Sequence, residues 1–199
     1  MAVRGIGFGL RESSSPCTLT IGMKTTLISA KIVPEFHRQI GSELEAFLQY
    51  LAIAAYFEKA ALPRLAAYFA RQAEEERGHA MRFLQLLVDN DAEVAIPSVP
   101  APEVQFRDAE HAVTLSLERE LRVTEEIHSL LRLARQENDF TSETFLHWFV
   151  KEQLEEVSSV DQLLKMIQRA GNQRLLLVED FLSRSGPTKL AKEEESEGG

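Results

Sequence analysis

The sequence predicts an all-α protein, built as a four-helix bundle with a long crossover between the second and third helices and a short fifth helix. Apolar residues recur at helical spacing almost throughout the stretch from Ser29 to Asp180. No segment alternates with a period of two residues, as a half-buried strand would. A single proline-rich stretch divides the long helices into two pairs, which is the arrangement of a bundle with one crossover.

The first pair of helices is predicted from residue 29 to residue 89. The first helix runs from about Ser29 to Ala60, and Pro34 lies early in it, where a missing N–H costs least. The second helix runs from Pro63 to Asp89, because proline suits a first helical turn. The link is short, so the two helices should be antiparallel. The apolar stripe of the first helix consists of Phe36, Ile40, Phe47, Tyr50, Leu51, Ala54 and Phe57.

The crossover is predicted from Asn90 to Arg107. It contains three prolines and is too long for a tight turn, so it should run the length of the bundle. The third helix begins near Asp108, a plausible N-cap, and ends at about Gln136.

The fourth and fifth helices complete the chain. The fourth spans roughly Thr141 to Ala170 and stops at Gly171, a C-terminal signal. The short fifth helix spans about Gln173 to Ser183, and its apolar side consists of Leu175, Leu176, Val178 and Leu182. A four-helix core has no room for this side, so we expect other subunits to cover it in an oligomer.

Composition restricts the function. A net charge of -9 argues against nucleic-acid binding and favours attraction of metal cations. The single cysteine, Cys17, excludes an internal disulfide and a cysteine-rich zinc site, and it favours a reducing compartment such as the cytoplasm. No apolar run has the length of a membrane span, so no membrane partner is expected.

Polar residues interrupt the apolar stripes at one place on each long helix. Glu76 and His79 are three residues apart, so they share one helix face. A lone glutamate is usually solvated, but Glu43, Glu76, His79 and Glu120 can converge at one level of the bundle. Buried carboxylates repel one another unless they are protonated or bind a cation. Carboxylates with one imidazole suit Fe²⁺, Mn²⁺ or Zn²⁺.

The chain resembles the bacterial non-haem ferritins from about Ser29 to Ser183. The resemblance is carried by Gln39-Ile40 leading to Glu43, by Tyr50, by Glu75-Glu76-Arg77-Gly78-His79, by Glu120, and by Phe145-Leu146-His147-Trp148-Phe149-Val150-Lys151-Glu152-Gln153-Leu154-Glu155-Glu156. The last string is the most specific. The resemblance implies a ferritin-like domain over residues 29–184, between a segment 1–28 and an acidic tail 185–199 that is expected to be disordered.

The resemblance implies a ferroxidase centre that binds two irons. Glu43 and His79 would hold the first iron, Glu76 would bridge, and Glu120 would hold the second. Gln153 would stand beside the pair as a hydrogen-bonding or oxygen-site residue. A third iron position would be formed by Glu75, Glu152, Glu155 and Glu156.

Two aromatic residues are implied to lie near the irons. Tyr50 would supply an electron during O₂ reduction, and Trp148 either does the same or packs in the core. Bacterioferritins bind haem through a methionine beside the second-helix motif, where this chain has Arg77, so no haem is expected. The family assembles as a hollow shell of twenty-four subunits.

The first residues have no counterpart in the family. They are predicted to be either a disordered extension or an over-called start, with Met23 as the favoured first residue. The string Leu19-Thr20-Ile21-Gly22 resembles the tag that directs cargo ferritins into encapsulin shells.

The expected function is iron storage with ferroxidase activity. Fe²⁺ would be oxidised by O₂ or H₂O₂, and ferric mineral would be deposited in the shell cavity. One alternative is a di-iron or di-manganese peroxidase or oxygenase that acts on another substrate. The other is a structural bundle without catalysis, which would leave the convergent carboxylates unexplained.

Overall fold

The computed structural model describes residues 26–185, and the chain is helical through most of that range. The helices are α1 (Val33–Lys59), α2 (Pro63–Asp89), α3 (Ala109–Gln136), α4 (Phe140–Ala170) and α5 (Leu175–Ser185), with a 3₁₀ turn at Asn172–Arg174 before α5. No strand occurs between residues 26 and 185. The predicted all-α bundle with a short fifth helix is confirmed.

The helix ends agree closely with their sequence signals. Both ends of α2 lie where they were predicted, and Asp108 caps α3 by accepting a hydrogen bond from the backbone N–H of His111 at 2.8 Å. The start of α1 was predicted four residues too early. The N–H of Ile32 donates to the carbonyl of Ser29 at 3.0 Å in a separate turn, and the helix begins just before Pro34.

The core is divided into two apolar clusters by a polar layer. One cluster is centred on Tyr50, Phe57 and Phe69. The other contains Phe36, Phe83 and Phe149. On every long helix the buried carboxylates fall between a stretch that enters one cluster and a stretch that enters the other. Four inward-facing polar positions therefore meet near the middle of the bundle.

The crossover, residues 90–108, runs along α1. His37 Nε2 lies 2.8 Å from the carbonyl of Glu93 near its start. Gln49 exchanges two hydrogen bonds with the backbone of Glu103, of 2.9 and 3.0 Å. Near its end the Phe106 ring lies 5.1 Å from the ring of Tyr56. These contacts keep the crossover in the direction of α1 from beginning to end, as predicted.

Gly41 allows the crossover to lie against α1. A Cβ at this position would lie 2.6 Å from Cγ of Pro97. We therefore expect Gly41→Ala to lower the free energy of unfolding by about 1–3 kcal/mol, despite the better helix propensity of alanine. Thermal unfolding of the apo protein would measure this change.

Gly78 offers a matched control, because a Cβ there meets nothing within 4 Å in the described part of the chain. Gly78→Ala should raise stability by roughly 0.5–1 kcal/mol. Pro97→Ala should restore the stability of the Gly41→Ala variant. Equal stability of the two alanine variants would contradict the assigned contact.

Helix α5 is fastened to the start of α2. The buried carboxylate of Glu179 accepts hydrogen bonds from the backbone N–H groups of Arg64 and Leu65, both at 2.8 Å. These are N–H groups that a helix start leaves unpaired, and the anion also suits the helix dipole. The predicted apolar side of α5 is divided. Val178 is buried, and Leu175 and Leu182 pack partly buried against the same cluster of the bundle, so the expectation that the bundle has no room for this side was wrong for three of its four residues. Leu176 is 73% exposed, and two apolar residues outside the predicted side, Leu177 and Phe181, are 63% and 47% exposed.

Within residues 26–185, no helix combines the length and apolar character needed to cross a membrane. The predictions for the first residues, the encapsulin-like string Leu19-Thr20-Ile21-Gly22 and the acidic tail lie almost entirely outside this range. They and the domain limits remain predictions.

Candidate metal centre

The polar layer of the bundle contains most of the residues that the sequence singled out. Helix periodicity turns them inward, so each is at most 4% exposed. The layer consists of Glu43 on α1, Glu76 and His79 on α2, Glu120 on α3, and Glu152, Gln153 and Glu156 on α4.

Glu43, Glu76 and His79 form the first ligand group. One ligand atom from each lies within 4.8 Å of the others, and His79 Nδ1 is 3.0 Å from Glu76 Oε2. Gln39 donates a hydrogen bond of 2.9 Å to Glu43 Oε1. The other oxygen, Glu43 Oε2, is buried and has no hydrogen-bond donor among residues 26–185. A buried anionic oxygen without a donor suits a bound cation.

His79, Glu152 and Glu156 form the second ligand group, also within 4.8 Å of one another. His79 Nε2 lies 3.8 Å from Glu152 Oε1. The imidazole therefore belongs to both groups: its Nδ1 lies beside Glu76 of the first group, and its Nε2 lies beside Glu152 of the second. Gln72 joins this group to Glu75, because its Nε2 lies 2.7 Å from both Glu75 Oε2 and Glu156 Oε2.

Glu120 belongs to neither three-residue group in this structure. The Tyr50 hydroxyl donates a short hydrogen bond to Glu120 Oε1, and Gln153 Nε2 donates one of 3.2 Å to Glu120 Oε2. Glu120 is nevertheless close enough to act electrostatically, since its charge helps to raise the pKa of Glu76. Tyr50 and Gln153, both predicted site residues, thus orient this carboxylate.

Burial and mutual repulsion both favour the protonated carboxyl groups. Burial raises the pKa of Glu43 and Glu76, and the charges of Glu76 and Glu120, respectively, raise them further. Burial also raises the pKa of Glu120 and Glu156. The pKa of Tyr50 is raised by burial and then by the Glu120 charge, so its hydroxyl keeps its proton. A divalent cation would remove the repulsion and replace the protons.

The remaining predicted residues lie at the margin of the layer. Glu75 and Glu155 are half-buried and enter neither three-residue group. Glu75 is connected to the second group through the hydrogen bonds of Gln72, and its charge helps to raise the pKa of Glu156. Arg77 lies on the exposed side of α2, where its Nε donates to Glu74 Oε2 at 2.8 Å. The absence of haem remains a prediction.

Sequence reasoning missed two buried polar residues beside the layer, Gln72 and Arg119. Gln72 lies four residues before Glu76, so helical spacing could have placed it on the same face. Arg119 is only 5% exposed, and its guanidinium binds the backbone carbonyl and hydroxyl of Ser42 and the carboxylate of Glu45. A buried arginine is unusual, and only the contact with α1 reveals its position.

Known proteins share this arrangement of helices. The family model described as "Ferritin-like domain" matches residues 35–170. "Ferritin BfrB" of Mycolicibacterium smegmatis is 45% identical over 146 residues, which are 73% of this chain and 80% of the relative. "Bacterial non-heme ferritin" of Staphylococcus aureus is 31% identical over 146 residues, 73% of this chain and 88% of the relative.

A solved structure extends the similarity to three dimensions. The open pore ferritin from the hyperthermophilic archaeon Archaeoglobus fulgidus superposes with a TM-score of 0.75 at 32% identity, over 78% of this chain and 98% of that chain. The resemblance read from the sequence motifs is confirmed, and the chain belongs to the ferritin family.

Proposed function

We propose that the protein stores iron and that the polar layer oxidises Fe²⁺ before storage. Membership of the ferritin family supports iron storage. The observation that carries the ferroxidase step is the buried group of Glu43, Glu76 and His79, in which Glu43 Oε2 is a buried acceptor without a donor in the described chain. Burying such a group without a cation is costly, and a bound cation would offset that cost.

Each residue has a proposed role toward the iron substrate. Glu43 and His79 hold the first Fe²⁺, Glu76 bridges to the second, and Glu120 holds the second. Two Fe²⁺ ions lose one electron each. O₂ accepts both electrons with two protons and leaves as H₂O₂, or H₂O₂ accepts both with two protons and leaves as two waters. Anionic carboxylates favour the product, because hard ligands stabilise Fe³⁺ over Fe²⁺.

The second ligand group is proposed as a third iron position. Glu152 and Glu156 lie beside His79 there, and Gln72 links them to Glu75. Glu155 is the remaining proposed ligand of this position. Iron that leaves the oxidation site would reach these carboxylates next, on its way to the mineral.

Tyr50 and Gln153 are proposed to assist at the second iron. Both are hydrogen-bonded to Glu120, so both limit the orientations of that carboxylate. When O₂ is instead reduced to two waters, it takes four electrons and four protons: the two irons of the pair and an Fe²⁺ at the third position each give one electron. Tyr50 gives the fourth electron, and its proton passes along the hydrogen bond to Glu120. Gln153 is placed beside the two irons as a hydrogen-bonding residue or a residue of the site where the oxidant binds.

Storage requires a cavity, and we propose a homo-oligomeric shell of twenty-four subunits in the cytoplasm. The exposed apolar side chains of Leu176, Leu177 and Phe181 on α5 support contact between subunits, because water would otherwise cover them. Ferric product would collect inside this shell as mineral.

Rapid mixing of the apo protein with Fe²⁺ in air tests the proposal. We expect two or three irons per subunit to be oxidised in a fast phase, followed by slow mineral growth, and a native mass near that of twenty-four subunits. Repeating the titration with H₂O₂ under anaerobic conditions identifies the oxidant. No fast phase with either oxidant would show that the ferroxidase proposal is wrong, and a native mass near the monomer or dimer would contradict the shell.

A further inference from the structure

A cation is stacked on the only tryptophan of the chain. The guanidinium carbon of Arg82 lies 3.7 Å from the centre of the Trp148 ring. Arg82 is exposed on α2, and no carboxylate in residues 26–185 forms an ion pair with it. No ion pair within that range neutralises its charge, and the guanidinium lies over the electron-rich face of the indole.

Trp148 also touches the metal centre from the other direction. Its ring lies edge-on to the imidazole of His79, with 5.5 Å between ring centroids and an interplanar angle of 75°. Arg82, Trp148 and His79 thus form a continuous line from the exposed side of α2 to a proposed iron ligand. An indole in van der Waals contact with that ligand can lose an electron to an oxidising species at the centre.

Two oxidisable aromatic side chains therefore border the polar layer, in opposite environments. Tyr50 donates its hydroxyl hydrogen bond to Glu120, a base that can take the proton when the phenol loses an electron. The ring face of Trp148 carries a fixed positive charge. Loss of an electron leaves positive charge on the indole, and a cation stacked on the ring opposes this. The first environment favours oxidation, and the second disfavours it.

We propose that Arg82 protects Trp148 from one-electron oxidation and thereby directs electron withdrawal to Tyr50. The protection is a property of the stack alone, while its role in directing electrons rests on the proposed ferroxidase function. Within residues 26–185, no hydrogen bond or ion pair joins Arg82 to a proposed iron ligand. Arg82 is a positioning residue, and it acts by raising the one-electron reduction potential of the oxidised Trp148 indole.

Pulse radiolysis of the apo protein tests the protection without iron. The azide radical takes one electron from Trp148 and becomes azide ion, while the indole N–H proton goes to solvent. A tyrosine then gives an electron and its proton to the indolyl radical, which restores tryptophan and leaves a phenoxyl radical. The two radicals absorb at different wavelengths, and every indolyl signal comes from Trp148 because the chain has one tryptophan.

We expect Arg82→Gln to increase the ratio of indolyl to phenoxyl radical roughly tenfold over the parent, as the loss of a cation–π contact implies. Arg82→Lys keeps a cation and should stay close to the parent. Arg77→Gln is the matched control, because Arg77 is an exposed arginine of the same helix that pairs with Glu74. An unchanged ratio in Arg82→Gln, or an equal rise in Arg77→Gln or Arg82→Lys, would overturn the proposal.

Iron turnover then tests the role at the centre. During repeated additions of Fe²⁺ and oxidant, Arg82→Gln should lose the fluorescence of Trp148 about ten times faster than the parent. Normal iron oxidation with equal fluorescence loss in both proteins would refute the directing role of Arg82. Absence of iron oxidation in the parent would refute the proposed function, and the radiolysis result would still decide whether Arg82 protects the indole.

Discussion

Replacing Glu76 with alanine is expected to abolish the fast phase of iron oxidation, with a loss of at least about 100-fold. Glu76 is the proposed bridge between two irons, and its Oε2 lies 3.0 Å from His79 Nδ1 in the first ligand group. Loss of a residue that only supports a metal ligand costs about 10–100-fold, so loss of a bridging ligand should exceed that. His79→Ala should have the same effect. Rapid mixing of each apo variant with Fe²⁺ measures both losses.

The fold should survive this change. Burial and the charge of Glu120 raise the pKa of Glu76, because both make the ionised carboxylate less stable than it is in water. Removal of the carboxylate ends that cost, so Glu76→Ala should still fold, and Glu76→Gln, which also keeps the side-chain volume, should unfold at the same temperature as the parent or above it. The matched control is Glu74→Ala, because Glu74 is exposed and pairs with Arg77. This control should oxidise iron normally, and parent rates in both Glu76→Ala and His79→Ala would show that the site is assigned wrongly.

The stability of the apo protein should fall as pH rises above about 5, and bound metal should reverse this loss. Burial raises the pKa of Glu43, Glu76 and Glu156 well above the value of 4.5 expected in an unfolded chain, and neighbouring carboxylates add to the shift. The folded protein therefore holds protons that the unfolded chain has lost. The stabilisation is complete below pH 4.5 and disappears as pH rises through the raised pKa values.

Each unit of pKa shift corresponds to about 1.4 kcal/mol, so several such groups give a large effect. Zn²⁺ is a suitable probe because it binds carboxylates and imidazole without redox chemistry. We expect the unfolding temperature of the apo protein to fall between about pH 5.5 and pH 8, and the rise caused by Zn²⁺ to be larger at pH 8.

A variant with Glu43→Gln and Glu156→Gln provides the control for this prediction. It lacks two of the carboxylates whose pKa is raised, so its stability should depend less on pH and respond less to Zn²⁺. An apo protein that becomes more stable between pH 5.5 and pH 8 would contradict the predicted sign. Equal pH dependence in the parent and the double variant would show that these carboxylates are not its cause.

Local signals in the sequence were sufficient for the helices. Pro63 and Asp108 mark helix starts by rules that involve only a few neighbouring residues, so both α2 and α3 begin where they were predicted. Helical periodicity also placed Glu43, Glu76 and Glu120 inward, and the structure buries all three. The same rules missed the separate turn at residues 29–32, because a turn and the start of a helix share apolar spacing there.

Contacts between helices could not be read from one sequence. The structure shows that Tyr50 and Gln153 hold Glu120, that His79 borders two ligand groups, and that Arg119 reaches Ser42. These contacts depend on the rotation and the axial position of one helix relative to another. Periodicity assigns a face to each helix but contains no information on these two quantities.

The sequence by itself therefore determined the all-α fold, most of the helix limits and most of the inward polar residues, because each depends on local spacing along one chain segment. The tertiary structure decided which of those residues meet. It divided the carboxylates between two ligand groups around one imidazole, and it stacked Arg82 on Trp148. The first ligand group depends on the packing of α1 against α2, whereas the second group and the Arg82 stack depend on how α2 lies beside α4. In each case helix packing brings side chains that are distant in sequence within a few ångströms.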